Sequence, residues 1–97
     1  SESSLPEDAA KFYAPVIEWV NGYCKEANDN TNVIFKLQYF NTASAQQIFK
    51  ILSIFEILSK SKEVVISWYY QKDDEFILIS GERYSKLLDM KFELIEY

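Results

Sequence analysis

The sequence predicts a small α/β domain whose sheet of mostly parallel strands is joined by crossover helices. Two observations lead to this fold class. Apolar residues recur alternately with helical spacing and with a period of two, in the order α, β, α, β, α, β. The 97 residues, 48% of them apolar, suffice for one compact core. Strands separated by single helices usually pair in parallel through right-handed crossovers, so we assign residues 1–97 to a single domain.

The first third of the chain predicts a helix followed by a strand. The helix begins at Pro6, because proline followed by two acids is typical of a helix N-terminus. Its apolar stripe runs to Ala27, and Pro15 predicts a kink or a new first turn near Ala14. Alternating side chains over residues 32–40 then predict the first strand.

The middle of the chain predicts a second helix and a central strand. Ser44, with Gln47 three residues on, predicts a capping box at the start of a helix that runs to about Lys60. Residues 64–70 are β-branched or aromatic at most positions and apolar on both faces. This pattern predicts a central strand that is covered on both sides.

The last third predicts a helix and a final strand. The acids of residues 73–75 open the third helix, which contains Gly81 as a weak point, and residues 92–97 form the last strand. In a parallel sheet the segments that follow the strand ends share one edge. We expect functional groups there, in residues 41–42 and 71–75.

Composition excludes several classes of function. Without histidine the chain has no Ser-His-Asp or Cys-His pair and no histidine-ligated zinc. A single Cys24 forms no intrachain disulfide, which indicates a cytoplasmic location. No apolar run reaches the ~20 residues of a membrane span. Ten scattered basic residues against fifteen acids argue against nucleic acid, and no phosphate-binding glycine motif or cofactor site is evident.

The second helix carries more apolar residues than one face can hold. At ~100° per residue, Thr42, Gln46, Phe49 and Ser53 share one stripe, and Phe49 and Ile57 fall on the polar side. Two interpretations remain open. The first helix covers the two apolar residues, or the stripe is a docking surface for another protein with Phe49 as its hydrophobic anchor.

Two polar positions each allow a structural and a functional interpretation. Thr42 either caps the second helix or accepts a phosphate, with Ser44 as its competitor for that role. Asp73, Asp74 and Glu75 either form the acidic first turn of a helix or hold a hard metal ion such as Mg²⁺.

Stretches along nearly the whole chain resemble the SiaC family of bacterial regulatory phosphoproteins. They are Leu5-Pro6-Glu7-Asp8-Ala9, Phe12-Tyr13 with Pro15 and Trp19, Leu37 to Ser44, Trp68-Tyr69-Tyr70 and Phe92 to Tyr97. The most specific of these motifs, Tyr39-Phe40-Asn41-Thr42-x-Ser44, places the phosphorylated threonine of the family at Thr42.

The resemblance implies a STAS-like fold, similar to anti-sigma-factor antagonists, and a role in partner switching. A dedicated Ser/Thr kinase would phosphorylate the threonine, and a metal-dependent phosphatase would remove the phosphate. Only the unmodified form would bind the target, which in this family is associated with a diguanylate cyclase, cyclic-di-GMP signalling and biofilm behaviour. Family members usually carry an N-terminal segment with strand character before the position where this sequence begins. If that segment is missing, an uncovered sheet edge and a homo-oligomer paired through it are further expectations. If it lies outside this sequence, that expectation lapses.

The function predicted from these observations is a non-enzymatic cytoplasmic switch controlled by phosphorylation of Thr42. Residues predicted to contact the partner or to set its local potential are Asn41, Ser44, Gln46, Phe49, Ser53, Asp73 and Asp74. The alternative function is a small nucleotide- or metal-binding domain that uses the edge formed by Asn41, Thr42, Asp73 and Asp74.

Overall fold

The computed structural model describes residues 6–97 and contains three helices and three strands in the predicted order. Their bounds are α1 Pro6–Lys25, β1 Asn30–Phe35, α2 Thr42–Leu58, β2 Glu63–Tyr70, α3 Glu75–Leu87 and β3 Lys91–Glu96. The strands form one sheet in the order β1-β2-β3, and both pairings are parallel. The predicted fold class and the central position of β2 are therefore confirmed.

The helices and one face of the sheet enclose the core. From β2 the core receives Val64, Ile66 and Trp68, which alternate along the strand and so point to the same face. Both α2 and α3 pack on β2, and α1 packs mainly on α2. The opposite face of β2 carries the half-buried Val65 and Tyr69 and, between them, the small buried Ser67, whose hydroxyl donates to Asn32 of β1 at 3.0 Å; no helix packs on this face within residues 6–97. The prediction that β2 is covered on both faces is thus wrong for this part of the chain.

The first strand ends five residues earlier than its alternating pattern predicts. Beyond Phe35, which pairs with Trp68, residues 36–41 leave the sheet. Leu37 and Phe40 then pack against the core from this irregular segment. The apolar side chains that hold this segment on the core continue the two-residue spacing of a strand, which explains why the predicted end of β1 is wrong.

Pro15 does not divide the first helix. The helix continues from Pro6 to Lys25 with Pro15 inside it, so of the two expectations near Ala14 a new first turn is wrong, and a kink stays a prediction. Pro15 removes one backbone hydrogen bond of the helix. Its exposed position lets water reach the carbonyl group that this leaves without a partner. The predicted absence of an N-terminal strand segment concerns the chain before Pro6, which lies outside the described residues.

Candidate functional site

Two aromatic contacts hold the segment before α2 at the edge of the sheet. The ring of Phe40 lies 5.8 Å from that of Trp68 and 5.1 Å from that of Phe76. Because Phe76 belongs to the first turn of α3, the segment between β1 and α2 lies against the start of α3. The structure therefore brings together the two segments that were predicted to share this edge.

The N-terminus of α2 is capped by Asn41. Its side-chain oxygen accepts a hydrogen bond from the backbone N–H of Ser44 at 2.8 Å, and its own N–H donates to the Ser44 hydroxyl at 2.9 Å. Its amide nitrogen donates to the hydroxyl of Tyr39 at 3.1 Å. The capping box is thus Asn41 with Ser44, and the predicted box of Ser44 with Gln47 is wrong. Capping of α2 was one of the two interpretations of Thr42, and in the structure Asn41 has that role instead.

Ser44 is buried and fully engaged in this capping box. Its hydroxyl also donates to the carbonyl oxygen of Asn41 at 3.0 Å. A side chain in this position offers no surface to a kinase or to a partner. The predictions that Ser44 contacts a partner or competes as phosphoacceptor therefore do not fit the structure.

Replacing Ser44 by alanine is expected to lower the free energy of unfolding by about 1 to 2 kcal/mol, because the capping box loses its side-chain hydrogen bonds. Urea unfolding followed by far-UV circular dichroism measures the change. Ser53→Ala is the matched control, since the Ser53 hydroxyl only donates to the carbonyl of Phe49 within the helix and its loss should cost little. Equal losses for the two variants would contradict the capping role.

Thr42 is the first residue of α2, and its side chain is exposed. No hydrogen bond among residues 6–97 engages its hydroxyl. The first turn of α2 contains no acid, whereas α1 begins with Glu7 and Asp8 and α3 with Glu75. The positive end of the α2 dipole therefore has no carboxylate next to it, and the accessible hydroxyl of Thr42 lies at this end.

The solvent side of α2 forms a surface that we call the α2 stripe. It consists of Thr42, Gln46, Lys50, Ser53 and Ile57, which recur at helical spacing and of which only Ser53 is half-buried. Ile57 is 73% exposed, so the stripe carries an accessible apolar side chain. The position of Ile57 on the polar side of the helix follows from the sequence, but the predicted hydrophobic anchor was Phe49. Lys50 was not among the residues predicted to contact a partner.

Phe49 lies at the border of the α2 stripe and is half-buried. Its ring lies 5.6 Å from that of Tyr84 on α3 and packs against the core. The expectation of an exposed aromatic anchor is therefore wrong, and the alternative of a cover by the first helix is wrong as well, because α3 supplies the contact. The 3.6-residue period could not reveal which neighbour would cover this side of the helix.

Tyr84 is a site residue that the sequence did not indicate. Its hydroxyl donates to the carbonyl oxygen of Ala45 at 3.1 Å, which ties α3 to the first turn of α2. Burial raises the pKa of Tyr84 above its ordinary value, and the charge of Arg83 acts in the opposite direction. The phenol therefore remains a protonated donor throughout the neutral range.

The two acids after β2 have different environments. Asp74 is half-buried and caps α3, accepting a hydrogen bond from the N–H of Ile77 at 3.1 Å, whereas Asp73 is exposed. Beside them lies a cleft of about 550 Å³, lined by Lys36, Leu37, Gln38, Gln71, Asp74, Ile77 and Tyr97. No group of three or more Cys, Asp or Glu side chains in residues 6–97 is placed to hold a metal ion.

None of the helices in the part of the chain that the structure describes combines the length and hydropathy needed to cross a bilayer.

Fold and site together define a parallel α/β domain of three strands that presents an exposed threonine at the N-terminus of its second helix. The chain belongs to the SiaC family: residues 1–97 match the family described as SiaC family regulatory phosphoprotein. The resemblance deduced from the motifs is thereby confirmed. A comparison with curated proteins gives no match.

Two solved structures share the fold. SiaC of Pseudomonas aeruginosa superimposes with a TM-score of 0.79 at 20% identity, over 96% of this chain and 75% of that chain. The crystal structure of the diguanylate cyclase SiaD in complex with its activator SiaC, from the same organism, gives a TM-score of 0.80 at 20% identity. That match covers 94% of this chain and 75% of the other. The analogy to STAS domains stays a prediction.

Proposed function

We propose that this protein is a non-enzymatic cytoplasmic switch in which phosphorylation of Thr42 controls the binding of a diguanylate cyclase to the α2 stripe. The observation that carries the proposal is the exposed hydroxyl of Thr42 at the only one of the three described helices whose first turn holds no acid. Membership of a regulatory phosphoprotein family and the complex of Pseudomonas aeruginosa SiaC with the cyclase SiaD support it.

The N-terminus of α2 suits a phosphate in both charge and hydrogen bonding. Asn41 already accepts from the N–H of Ser44, but in residues 6–97 the N–H groups of Thr42 and Ala43 have no hydrogen-bond partner. A phosphate on Thr42 would accept from such N–H groups and meet the positive end of the helix dipole. The fold would tolerate the modification, so its effect would fall on the surface.

The consequence for a partner follows from the position of Thr42 at one end of the α2 stripe. A phosphate adds about 1.5 to 2 negative charges there at neutral pH. A partner seated on Gln46, Ser53 and Ile57 would have to desolvate that charge, and the acids Asp73 and Asp74 across the same edge would add to the negative potential. In this proposal Phe49 does not anchor the partner. Its ring packs on Tyr84 and so holds α2 against α3 beneath the α2 stripe.

The cycle that we propose needs a Ser/Thr kinase to add the phosphate and a phosphatase to remove it. Cyclic-di-GMP signalling and biofilm behaviour are the context, by analogy with the cyclase that SiaC binds. A cytoplasmic location is supported by the single half-buried Cys24, which forms no disulfide.

Thr42→Glu is expected to weaken binding to the diguanylate cyclase of the same organism by 10- to 1000-fold, about 1.4 to 4 kcal/mol, while Thr42→Ala binds like the wild type. Isothermal titration calorimetry with the purified cyclase measures the affinities. Asn28→Glu adds the same charge in the exposed loop between α1 and β1 and serves as the control.

Equal affinities for the glutamate and alanine variants would refute the switch. Phosphopeptide mass spectrometry of the protein isolated from its own cells tests the modification directly. Phosphate found at another residue, and never at Thr42, would refute the assignment of the acceptor.

A further inference from the structure

The third helix exposes a row of side chains that we call the α3 stripe. It consists of Phe76, Ile79, Arg83 and Leu87, whose helical spacing places the four side chains within ~80° of one another around the helix. The three apolar members are 45%, 48% and 63% exposed. α3 enters the core on another side, through residues such as Tyr84. A row of large apolar side chains in water indicates a surface that meets another molecule.

Three contacts place the α3 stripe alongside the α2 stripe. At its start, the ring of Phe76 lies 5.1 Å from that of Phe40, in the segment before α2. Near its middle, the hydroxyl of Tyr84 ties α3 to the first turn of α2. Past its end, the backbone N–H of Asp89 donates to the carboxylate of Glu56, in the last turn of α2, at 2.7 Å. The two helices therefore run in the same direction, and their stripes are neighbours over the whole length of α3.

Two aromatic rings lie beneath the groove between the stripes. The ring of Phe49 lies 5.6 Å from that of Tyr84, and both residues pack against the core. Tyr84 is buried and Phe49 is half-buried. The floor of the groove is therefore apolar and rigidly packed, so a partner can rest on both helices at once.

The charged residues of both stripes are basic. Lys50 is the charged residue of the α2 stripe and Arg83 is that of the α3 stripe, and neither stripe contains an acid. By helical spacing, the acids Glu75 and Glu82 of α3 lie on the side of the α3 stripe that is away from α2. Within residues 6–97, neither Lys50 nor Arg83 forms an ion pair. In a chain of net charge −5, the paired stripes thus present two positive charges.

We propose that the α3 stripe is the second half of the partner-binding surface, and that the partner places on both stripes an apolar face whose acids lie opposite Lys50 and Arg83. The proposal rests on the switch proposed above, in which the partner contacts the α2 stripe and Thr42 controls binding. Complementary charges orient two proteins and speed their association, whereas apolar side chains that leave water on binding supply most of the affinity.

The charge of this surface accounts for the direction of the switch. A phosphate on Thr42 carries about 1.5 to 2 negative charges, which is close to the positive charge of Lys50 and Arg83 together. The unmodified surface attracts an acidic partner. After phosphorylation the same surface has lost its positive potential, so the partner dissociates.

Isothermal titration calorimetry of the 97-residue chain with the purified diguanylate cyclase of the same organism tests the proposal. Arg83→Glu is expected to weaken binding by about 10- to 100-fold, because it reverses one of the two charges. Leu87→Ser is expected to weaken binding by about 5-fold or more, because it removes the most exposed apolar side chain of the α3 stripe. Lys11→Glu makes the same charge reversal at an exposed residue of α1 and should leave the affinity unchanged.

The salt dependence of binding tests the acidic character of the partner. Raising the NaCl concentration from about 50 to about 500 mM should weaken the binding of the wild type, because salt screens the attraction between opposite charges. It should weaken the binding of Arg83→Glu less. Tighter binding of Arg83→Glu than of the wild type would show a basic partner and overturn the proposal, as would equal losses for Arg83→Glu and Lys11→Glu.

The outcomes separate the α3 stripe from the switch. Circular dichroism shows whether each variant is folded, and both substituted positions are exposed, so a folding defect in one leaves the other as a test. Wild-type affinity of folded Arg83→Glu and Leu87→Ser would overturn the α3 stripe, while an effect of Thr42→Glu would still support the switch. Losses in these two variants without an effect of Thr42→Glu would support the α3 stripe and overturn the switch. A cyclase that does not bind the unmodified chain would overturn both.

Discussion

Gly81→Ala is expected to destabilise the domain by about 3 kcal/mol, because α3 crosses β2 without space for a methyl group. A Cβ atom on Gly81 would lie 2.5 Å from Nε1 of Trp68 and 2.8 Å from Cδ2 of Leu94. Trp68 is completely buried and its indole N–H donates to the carbonyl oxygen of Ile77 at 2.8 Å, so the ring has no free space into which to move. Urea unfolding followed by circular dichroism measures the loss.

Gly22→Ala provides the matched control. Gly22 also lies inside a helix, but nothing lies within 4 Å of the position that its Cβ would occupy. Alanine there should stabilise the domain by about 0.5 to 1 kcal/mol through helix propensity. If Gly81→Ala were stabilising to the same degree, the close approach of α3 to Trp68 would be wrong.

Trp68→Ala is expected to lower the free energy of unfolding by about 4 kcal/mol, a large part of the ~5 to 15 kcal/mol of a typical domain. Its ring contacts the rings of Phe35, Phe40, Tyr84 and Phe92. The substitution removes their common neighbour and the indole N–H that donates to the carbonyl oxygen of Ile77. Urea denaturation followed by circular dichroism measures the effect.

The same substitution should loosen the candidate site, because Phe40 holds the segment before Thr42 through its contact with Trp68. Relative to the wild type, amide exchange is therefore expected to accelerate more at Ser44 and Ala45, whose N–H groups bond to Asn41, than in the second half of α2. Trp19→Ala is the control, since Trp19 is exposed on α1 and its loss should cost little of the folding free energy. Equal losses for the two tryptophan variants would contradict the central role of Trp68.

Local patterns explain what could be predicted of the fold. The order of helices and strands follows from apolar periodicity, and the position of Thr42 between β1 and α2 follows from the change of period near residue 40. The capping box was assigned to the wrong residues, because Asn41 and Ser44 can both cap a helix and only the start of the helix decides between them. The predicted ends of the helices therefore agree with the structure only to within a few residues.

The errors at Phe40 and Phe49 have one physical origin. Each aromatic side chain is placed by a residue distant in the chain, Phe40 by Trp68 and Phe76, and Phe49 by Tyr84. A local pattern shows that such a residue is apolar but does not show which element will cover it. The same reason explains why Gly81 was interpreted only as a weak point of its helix.

The sequence by itself determined the α/β class, the parallel topology and the position of Thr42 between a strand and a helix, because these depend on the spacing of apolar residues and on chain connectivity. Only the tertiary structure decided that Ser44 is buried in a cap, that Phe49 is covered by α3, and that Gly81 makes space for Trp68. These features depend on which surfaces meet when the elements pack, and residues far apart in the chain determine that packing.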